Sequence, residues 1–502
     1  MKRITLLLVA LMLFGCAATS FAATEVKMSG DARIWANWWD NINYTGWNAQ
    51  GTKTHDSLTI FERFRLRTDF IANEGLKFRL GIRVNNKAWG ADTFTVDNPQ
   101  ASIDVYQAYL QFKWPGTDSV EFTVGYQDLD LPISAPGIFN SSPILGSTQG
   151  GAAVVSAAVS DNFKAVAGFT RLLSGDINRT NTGFDASGNT TQTASDLDAY
   201  FLVLPITFDG FSFTPWGVIG VAGREAAYTS VGIGSSPRSD NQNLANNLLS
   251  AGAVNGIRHG LNTYWWVGGA VAVTALDPFK FYGDIMYGSG MEDGYKASKR
   301  AGWFLDLAAE YTGLDVMTPQ IAFWYSSGED KSTTNGSERM PVIRPAWGPS
   351  TSFLFDSNQA FGNTYAGTNV VGSWGFSLSL NKISFVQDLT HRLTFAFAQG
   401  TNTPRALRNA NLVWGAGNYF QMGRDLTTNE YVIGVNLDNQ YNIYENLAAI
   451  LDIGWSHLYN EQGSVWNVPR ALPTWSSSSS TFTHRANQGD MWNVAFGLQY
   501  KF

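Results

Sequence analysis

Along the final stretch of the chain, Trp492, Val494, Phe496, Leu498, Tyr500 and Phe502 alternate with Asn493, Ala495, Gly497, Gln499 and Lys501. A period of two puts the first set on one face of a β-strand and the second on the other. The pattern recurs near the start, where Val26, Met28, Gly30, Ala32, Ile34 and Ala36 oppose Lys27, Ser29, Asp31, Arg33 and Asn37. It returns from Phe64 to Phe70, and most sharply where Leu76, Phe78, Leu80, Ile82 and Val84 oppose Lys77, Arg79, Gly81, Arg83 and Asn85. The same criterion predicts strands near 101–114, 118–128, 151–160, 162–172, 197–208, 211–224, 262–275, 278–289, 299–311, 317–327, 368–382, 388–400, 428–443, 447–459 and 488–502. With the first three segments these make about eighteen strands.

The connections alternate in length. Asn73-Glu74-Gly75, Pro115-Gly116-Thr117, Ser160-Asp161 and Asp209-Gly210 are tight hairpin links, whereas 39–57, 173–196, 225–261, 328–367, 401–427 and 460–487 are long and polar. The predicted class is all-β: a transmembrane antiparallel β-barrel of about eighteen strands, or alternatively sixteen, with short periplasmic turns and long extracellular loops. An even count returns both termini to one rim, as a barrel without sheet edges requires. Trp38, Trp114, Phe208, Phe211, Phe279, Tyr311, Tyr444, Trp455 and Trp492 fall near predicted strand ends, where aromatics form interfacial girdles. A large soluble all-β protein with core aromatics is the competing reading.

Composition narrows the choice. Glycine at 50 residues, aromatics at 14% and charged residues at only 15% depart from a soluble domain, where charge runs near 25%. Mean hydropathy is nevertheless slightly polar, at −0.12, as expected when only every second strand residue meets lipid. The chain opens Met1-Lys2-Arg3, runs apolar from Ile4 to Phe14 and reaches Ser20-Phe21-Ala22, so residues 1–22 read as a cleaved secretory signal. The apolar run falls short of the ~20 residues a membrane-spanning helix needs. Cys16 is the only cysteine and would leave with the signal, so no disulfide is expected. Leu13-Phe14-Gly15-Cys16 also has the outline of a lipobox, although Phe before Gly is unusual there. Loss of Lys2 and Arg3 makes the product more acidic than the chain's −7, which argues against nucleic acid as a partner. A single barrel over 23–502 is expected, since strands recur without a linker.

Candidate chemistry concentrates on the non-lipid face. A three-residue loop at Asn73-Glu74-Gly75, with Gly in the left-handed position, keeps both apolar sets on one face and sets Asp69 opposite Arg79 and Arg65 opposite Arg83. Arg63, Arg65, Arg67, Arg79, Arg83 and Lys77, with Arg33 nearby, then form a basic patch on the inner wall. Facing like charges destabilise a sheet, but a wet lumen screens them, and charged rings set selectivity in pores. A structural network balanced by Asp31, Asp69 and Glu121 is the alternative. On the other half of the chain, Asp284, Asp306 and Glu310 fall on the lumen-facing set, and a basic wall facing acids would create a transverse field. The small residues from Gly150 to Ala158 serve either as a subunit contact or as room inside the barrel. The five histidines, His55, His259, His391, His457 and His484, lack metal-ligand spacing, and no serine sits in a nucleophile elbow. No enzymatic activity, metal or cofactor is therefore expected, and isolated carboxylates such as Asp438 and Asp452 read as solvated lumen residues.

Asp104-Val105-Tyr106-Gln107-Ala108-Tyr109 and Val124-Gly125-Tyr126-Gln127 look like the corresponding strands of trimeric porins. With the glycine- and aromatic-rich barrel pattern, the chain resembles the outer-membrane homotrimeric porins of sulfate-reducing bacteria, within the general bacterial porin superfamily. The resemblance implies a homotrimer in the outer membrane of a Gram-negative cell. It also implies contact with outer-membrane lipids and insertion by the barrel-assembly machinery. Phe496, Leu498, Tyr500 and the terminal Phe502 resemble the C-terminal assembly signal of such proteins. The segment Leu129–Gly150 follows the fifth strand, where general porins place their inward-folding constriction loop, so Asp128, Asp130 and Phe139 become candidate eyelet residues. A loop covering the mouth or joining subunits is the alternative. The expected function is passive diffusion of small hydrophilic solutes and ions, favouring anions, with sulfate as one cargo. Eighteen strands rather than the sixteen of general porins leaves the solute class open. A sugar channel would need an aromatic slide, for which Tyr109, Tyr282 and Trp324 are candidates, and a plugged surface-binding barrel is the remaining option.

Overall fold

The computed structural model describes residues 24–41, 44, 56–91, 94–95, 98–99, 101–174, 196–223, 247–250, 261–290, 296–332, 334–344, 347–349, 370–406, 409, 425–459 and 489–502. The proposed signal and Cys16 lie outside them.

Alternation of apolar and polar residues becomes strands as follows: β1 Glu25–Asp40, β2 Ser57–Asn73, β3 Leu76–Ala88, β4 Asp104–Lys113, β5 Val120–Leu129 and β6 Thr148–Ser160. These continue as β7 Phe163–Leu173, β8 Leu197–Val203 with Ile206–Phe208, β9 Phe211–Gly223, β10 Leu261–Val273, β11 Phe279–Gly290 and β12 Arg300–Tyr311. The last six are β13 Thr318–Ser326, β14 Ser373–Val386, β15 Leu389–Gly400, β16 Tyr431–Tyr444, β17 Leu447–Tyr459 and β18 Gly489–Lys501. The two pieces of β8 flank Leu204-Pro205 and share both neighbours, because proline has no N–H to give the ladder. Counting them as one strand, the 19 paired segments of the sheet make an eighteen-strand antiparallel barrel, which excludes the sixteen-strand alternative.

Closure is by β1 and β18, paired in register from Asp31↔Lys501 to Asp40↔Trp492. Phe502 adds reciprocal backbone hydrogen bonds to Gly30 at 2.8 and 3.2 Å. Gly30 is required there, since a Cβ would lie 2.2 Å from the Arg65 carbonyl oxygen and 2.6 Å from the Phe502 ring. Phe496, Leu498, Tyr500 and Phe502 all point outward and are exposed. So do Phe64, Phe70, Phe78, Val124, Ile219, Phe281, Ile285, Leu307, Ile321 and Leu378, from strands all around the barrel. An apolar exterior this extensive is stable only against hydrocarbon. Trp114, Phe208, Phe211, Phe279, Tyr444 and Trp492 of the predicted girdles are likewise exposed near strand ends.

Tight turns occupy one rim. Gly116 and Gly210 have φ of +89° and +69° in two of them, a conformation that only glycine adopts without strain. The β2–β3 register is the one the sequence predicts, with Asp69↔Arg79 and Arg65↔Arg83. Its mechanism differs, because Gly75 does not take a left-handed φ. The odd residue is absorbed by a register shift between Ile71 and Asn73, and the Asn73 side chain accepts the Gly75 N–H at 2.9 Å.

Candidate inner-wall functional site

The inner wall of β1–β4 is built in rows. Lys27, Asp69, Arg79 and Tyr109 share one row, and Ser29, Arg67, Gly81 and Gln107 the next. Asp31, Arg65, Arg83 and Asp104 form the third, and Arg33 with Arg63 the fourth. The structure therefore brings all seven predicted cations onto contiguous strands. Two acids secure some of them. Asp31 accepts Arg63 at 2.7 Å and Arg33 at 3.1 Å, and Asp69 holds Arg79 through two bonds of 2.6 and 2.7 Å. Glu121, expected to help balance the patch, makes no ion pair among the described residues. Arg83 lies 3.8 Å from the half-exposed Asp104. Arg65, Arg67 and Lys77 have no ion-pair partner among the described residues.

A bulge in β4 turns Tyr106 inward beside these cations, in a way period-two reading did not anticipate. The Arg65 and Arg83 guanidinium carbons stand 5.8 and 5.4 Å from its ring centroid, and Arg79 stands 5.8 Å from that of Tyr109. Each contact lets a cation rest on an aromatic face. Gly81 makes room, because a Cβ there would lie 3.1 Å from the Tyr106 ring.

Nine strands away, half the circumference of an eighteen-strand ring, β11 and β12 carry the predicted acids. Asp284 and Asp306 sit directly opposite each other in the ladder and do face inward. They are not open to lumen water, being 1% and 0% exposed. Asp284 accepts the Ser134 N–H at 3.0 Å from both carboxylate oxygens and the Ser134 hydroxyl at 2.6 Å. Asp306 accepts the Trp347 indole N–H at 2.8 Å. Glu310 is held by Tyr282 at 2.7 Å, Gln320 at 3.1 Å and Lys280 at 3.6 Å. The expected transverse field between free charges is thus corrected: donors from two inward segments and the wall itself occupy these carboxylates.

The segment after β5 reaches the inward-facing Asp284 of β11 through Ser134. Asp128 accepts Gln107 at 2.6 Å and Gln149 at 2.9 Å, at the base of the segment. Asp130 accepts the Ser141 hydroxyl at 2.7 Å and the Ser142 N–H at 3.3 Å, while burial pushes its carboxyl above the usual range. Phe139 is fully buried and stacks on Trp347, with centroids 5.1 Å apart. Strand β6 starts at Thr148, earlier than predicted. The small residues have an inner use: a Cβ on Gly150 would lie 2.7 Å from Leu129. Gly151, pointing outward, has open space beside it.

A second inward segment, described over 340–344 and 347–349, carried no sequence signal. It pairs with the first through Ile343 and Arg344 N–H groups on the Ile144 carbonyl at 2.9 Å, and Trp347 packs on Phe304 and Trp324 at 5.4 and 5.3 Å. Together with Leu248 and Leu249 the two segments form one apolar cluster against Leu197, Trp216, Tyr264, Trp266 and Met286 of β8–β11. No buried member of that cluster comes from β1–β4. Tyr109, Tyr282 and Trp324 lie on separate strands, Trp324 is fully buried, and they form no aromatic slide. Asp438 and Asp452 are not freely solvated either: Asp438 holds Arg392 at 2.7 Å and Asp452 is 6% exposed.

Above this cluster, long connections are tied by buried polar groups that sequence reading also missed. Arg300 donates to the carbonyls of Arg339, Leu249 and Met340 at 3.2, 3.0 and 3.1 Å. Arg339 bonds Asp425 at 2.8 Å and the Val371 carbonyl at 3.0 Å. Glu329 accepts the Ser337 hydroxyl, and burial pushes its carboxyl up to about 7.

No protein-family model matches the chain, and no curated protein sequence is significantly similar to it. Solved structures are similar in shape. Pseudomonas aeruginosa OpdL is 12% identical, with 95% of this chain and 99% of that one aligned at a TM-score of 0.50. P. aeruginosa OccK5 (OpdH) is also 12% identical, over 96% and 99%, at 0.49. The outer membrane protein OprD of the same organism is 13% identical, over 95% and 94%, at 0.48. At these identities the likeness to OpdL establishes a shared barrel fold.

Proposed function

We propose that this transmembrane barrel is a passive outer-membrane channel for small hydrophilic solutes and ions, with a bias toward anions. The observation that carries the reading is the inner wall of β1–β4, where seven cations face Asp31, Asp69 and Asp104 and three of the cations have no ion-pair partner among the described residues. Inward side chains two residues apart on a strand lie roughly 6.8 Å from one another, so a small anion leaving one guanidinium meets the next before it is free. The segment 130–147 narrows the lumen opposite this wall.

The pore reading extends to passage of small anions such as sulfate, assembly as a homotrimer, insertion by the barrel-assembly machinery and removal of residues 1–22. Reconstitution in planar bilayers tests it: stepwise conductance with a reversal potential of anion sign is expected, and cation preference would overturn the bias. One observation favours a second reading. The two inward segments build a buried apolar cluster against the β8–β11 wall, as a plug would in a barrel whose loops bind at the surface. Absence of any conductance steps would establish that reading instead.

A further inference from the structure

We propose that Asp284 and Asp306 set the bore of the channel, by tethering both inward segments to one side of the lumen and leaving the solute path along the β1–β4 wall. The inference rests on the channel reading above.

The two carboxylates belong to neighbouring strands and are in register, so they form a single acceptor patch on an otherwise apolar stretch of wall. One inward segment spends a backbone N–H and a hydroxyl of Ser134 on Asp284, and the other spends the Trp347 indole N–H on Asp306. The segments are also joined to each other by the Ile144 carbonyl, by the Gly146 N–H on the Arg344 carbonyl at 3.2 Å, and by the Phe139–Trp347 stack. They therefore move as one body. Trp266 adds a bond from its indole N–H to the Pro341 carbonyl at 2.7 Å, on the same side of the barrel.

Removing both acceptors strands the donors of Ser134 and Trp347 in a dry site, which favours an arrangement in which they reach lumen water. A barrel of this strand number has an aqueous interior when nothing fills it. Releasing the joined segments therefore widens the pore. The acids act by position, as acceptors, and their charge is secondary. Asparagine at both sites still offers a carbonyl oxygen to the same donors.

The test compares purified wild type, Asp284→Ala/Asp306→Ala and Asp284→Asn/Asp306→Asn in planar bilayers, with heat-modifiable gel mobility confirming that each barrel is folded. The alanine pair should raise single-channel conductance by roughly twofold and add open-state flicker, while the asparagine pair keeps the wild-type value. Trp347→Phe keeps the ring and drops only the donor. It should give a smaller rise, and it serves where the alanine pair does not fold. A conducting wild type with an equally conducting, folded alanine pair would overturn the tether and leave the channel reading intact. Equal shifts in ion selectivity for the alanine and asparagine pairs, without a change in conductance, would overturn it too. A silent wild type opened by the alanine pair would support the tether and remove the reading of a constitutively open pore.

Discussion

Replacing Arg65 and Arg83 together by glutamate changes the β1–β4 wall by four charge units without touching the Asp31 and Asp69 ion pairs that hold its neighbours. An anion passing at about 7 Å feels roughly 0.6 kcal/mol from each charge in water. At 0.1 M salt the Debye length of about 10 Å halves this to ~0.3 kcal/mol. Four units then amount to about 1.2 kcal/mol for chloride and the same with opposite sign for potassium, ~2.4 kcal/mol between them, or roughly a fiftyfold change in the chloride-to-potassium permeability ratio at ~1.4 kcal/mol per decade. The assay is the zero-current potential across a bilayer under a potassium chloride gradient. Near 1 M salt, where the Debye length is ~3 Å, the difference should almost vanish. A ratio that stays at the wild-type value at low salt would refute the β1–β4 arginine wall as the selecting element. A shift of equal size at high salt would show that the substitutions had altered the bore and not the field.

Three further outcomes follow from other parts of the barrel. Arg339→Ala removes the 2.8 Å ion pair of the buried Asp425, so loss of up to about 3–5 kcal/mol in local stability around the two residues is expected, read as faster proteolysis of folded protein. Glu329, raised to about 7 by burial, holds its proton more tightly in the folded protein than in the unfolded chain. Its contribution to stability is therefore greatest below the unfolded value of 4.5 and falls as pH rises toward 7, by up to ~3 kcal/mol. Hydrogen exchange around Ser337 and Arg339 should accelerate across that window, and Glu329→Gln should flatten the profile. Gly30→Leu drives a side chain into the Arg65 carbonyl and the Phe502 ring at the seam, so the yield of heat-modifiable barrel should fall severalfold; normal yield would show that the seam tolerates the intrusion.

Most of the barrel was legible because strand structure is encoded locally. Period-two alternation assigns each side chain to hydrocarbon or lumen, and the length of a hairpin fixes register across two strands. Leu76 to Val84 and Phe64 to Phe70 are enough to place Arg65 opposite Arg83. The eighteen-strand count, the inward set of arginines and the outward Phe496, Leu498, Tyr500 and Phe502 all come from such short-range rules. Even here a two-residue accident escaped, since the β4 bulge that turns Tyr106 onto the arginines has no signature in the alternation.

Which wall residues receive the inward segments was decided by the tertiary structure alone. Ser134 meets Asp284 across 150 positions and Trp347 meets Asp306 across 41, and no periodicity links residues on different connections. The alternation placed Asp284 and Asp306 on the inner face correctly, yet face is not environment. Only the folding of two segments onto that wall made them dry acceptors instead of solvated charges. The amino-acid pattern thus determined a membrane cylinder with a basic inner stripe. How much of its interior remains open depends on contacts between distant connections, which form only once the wall exists to receive them.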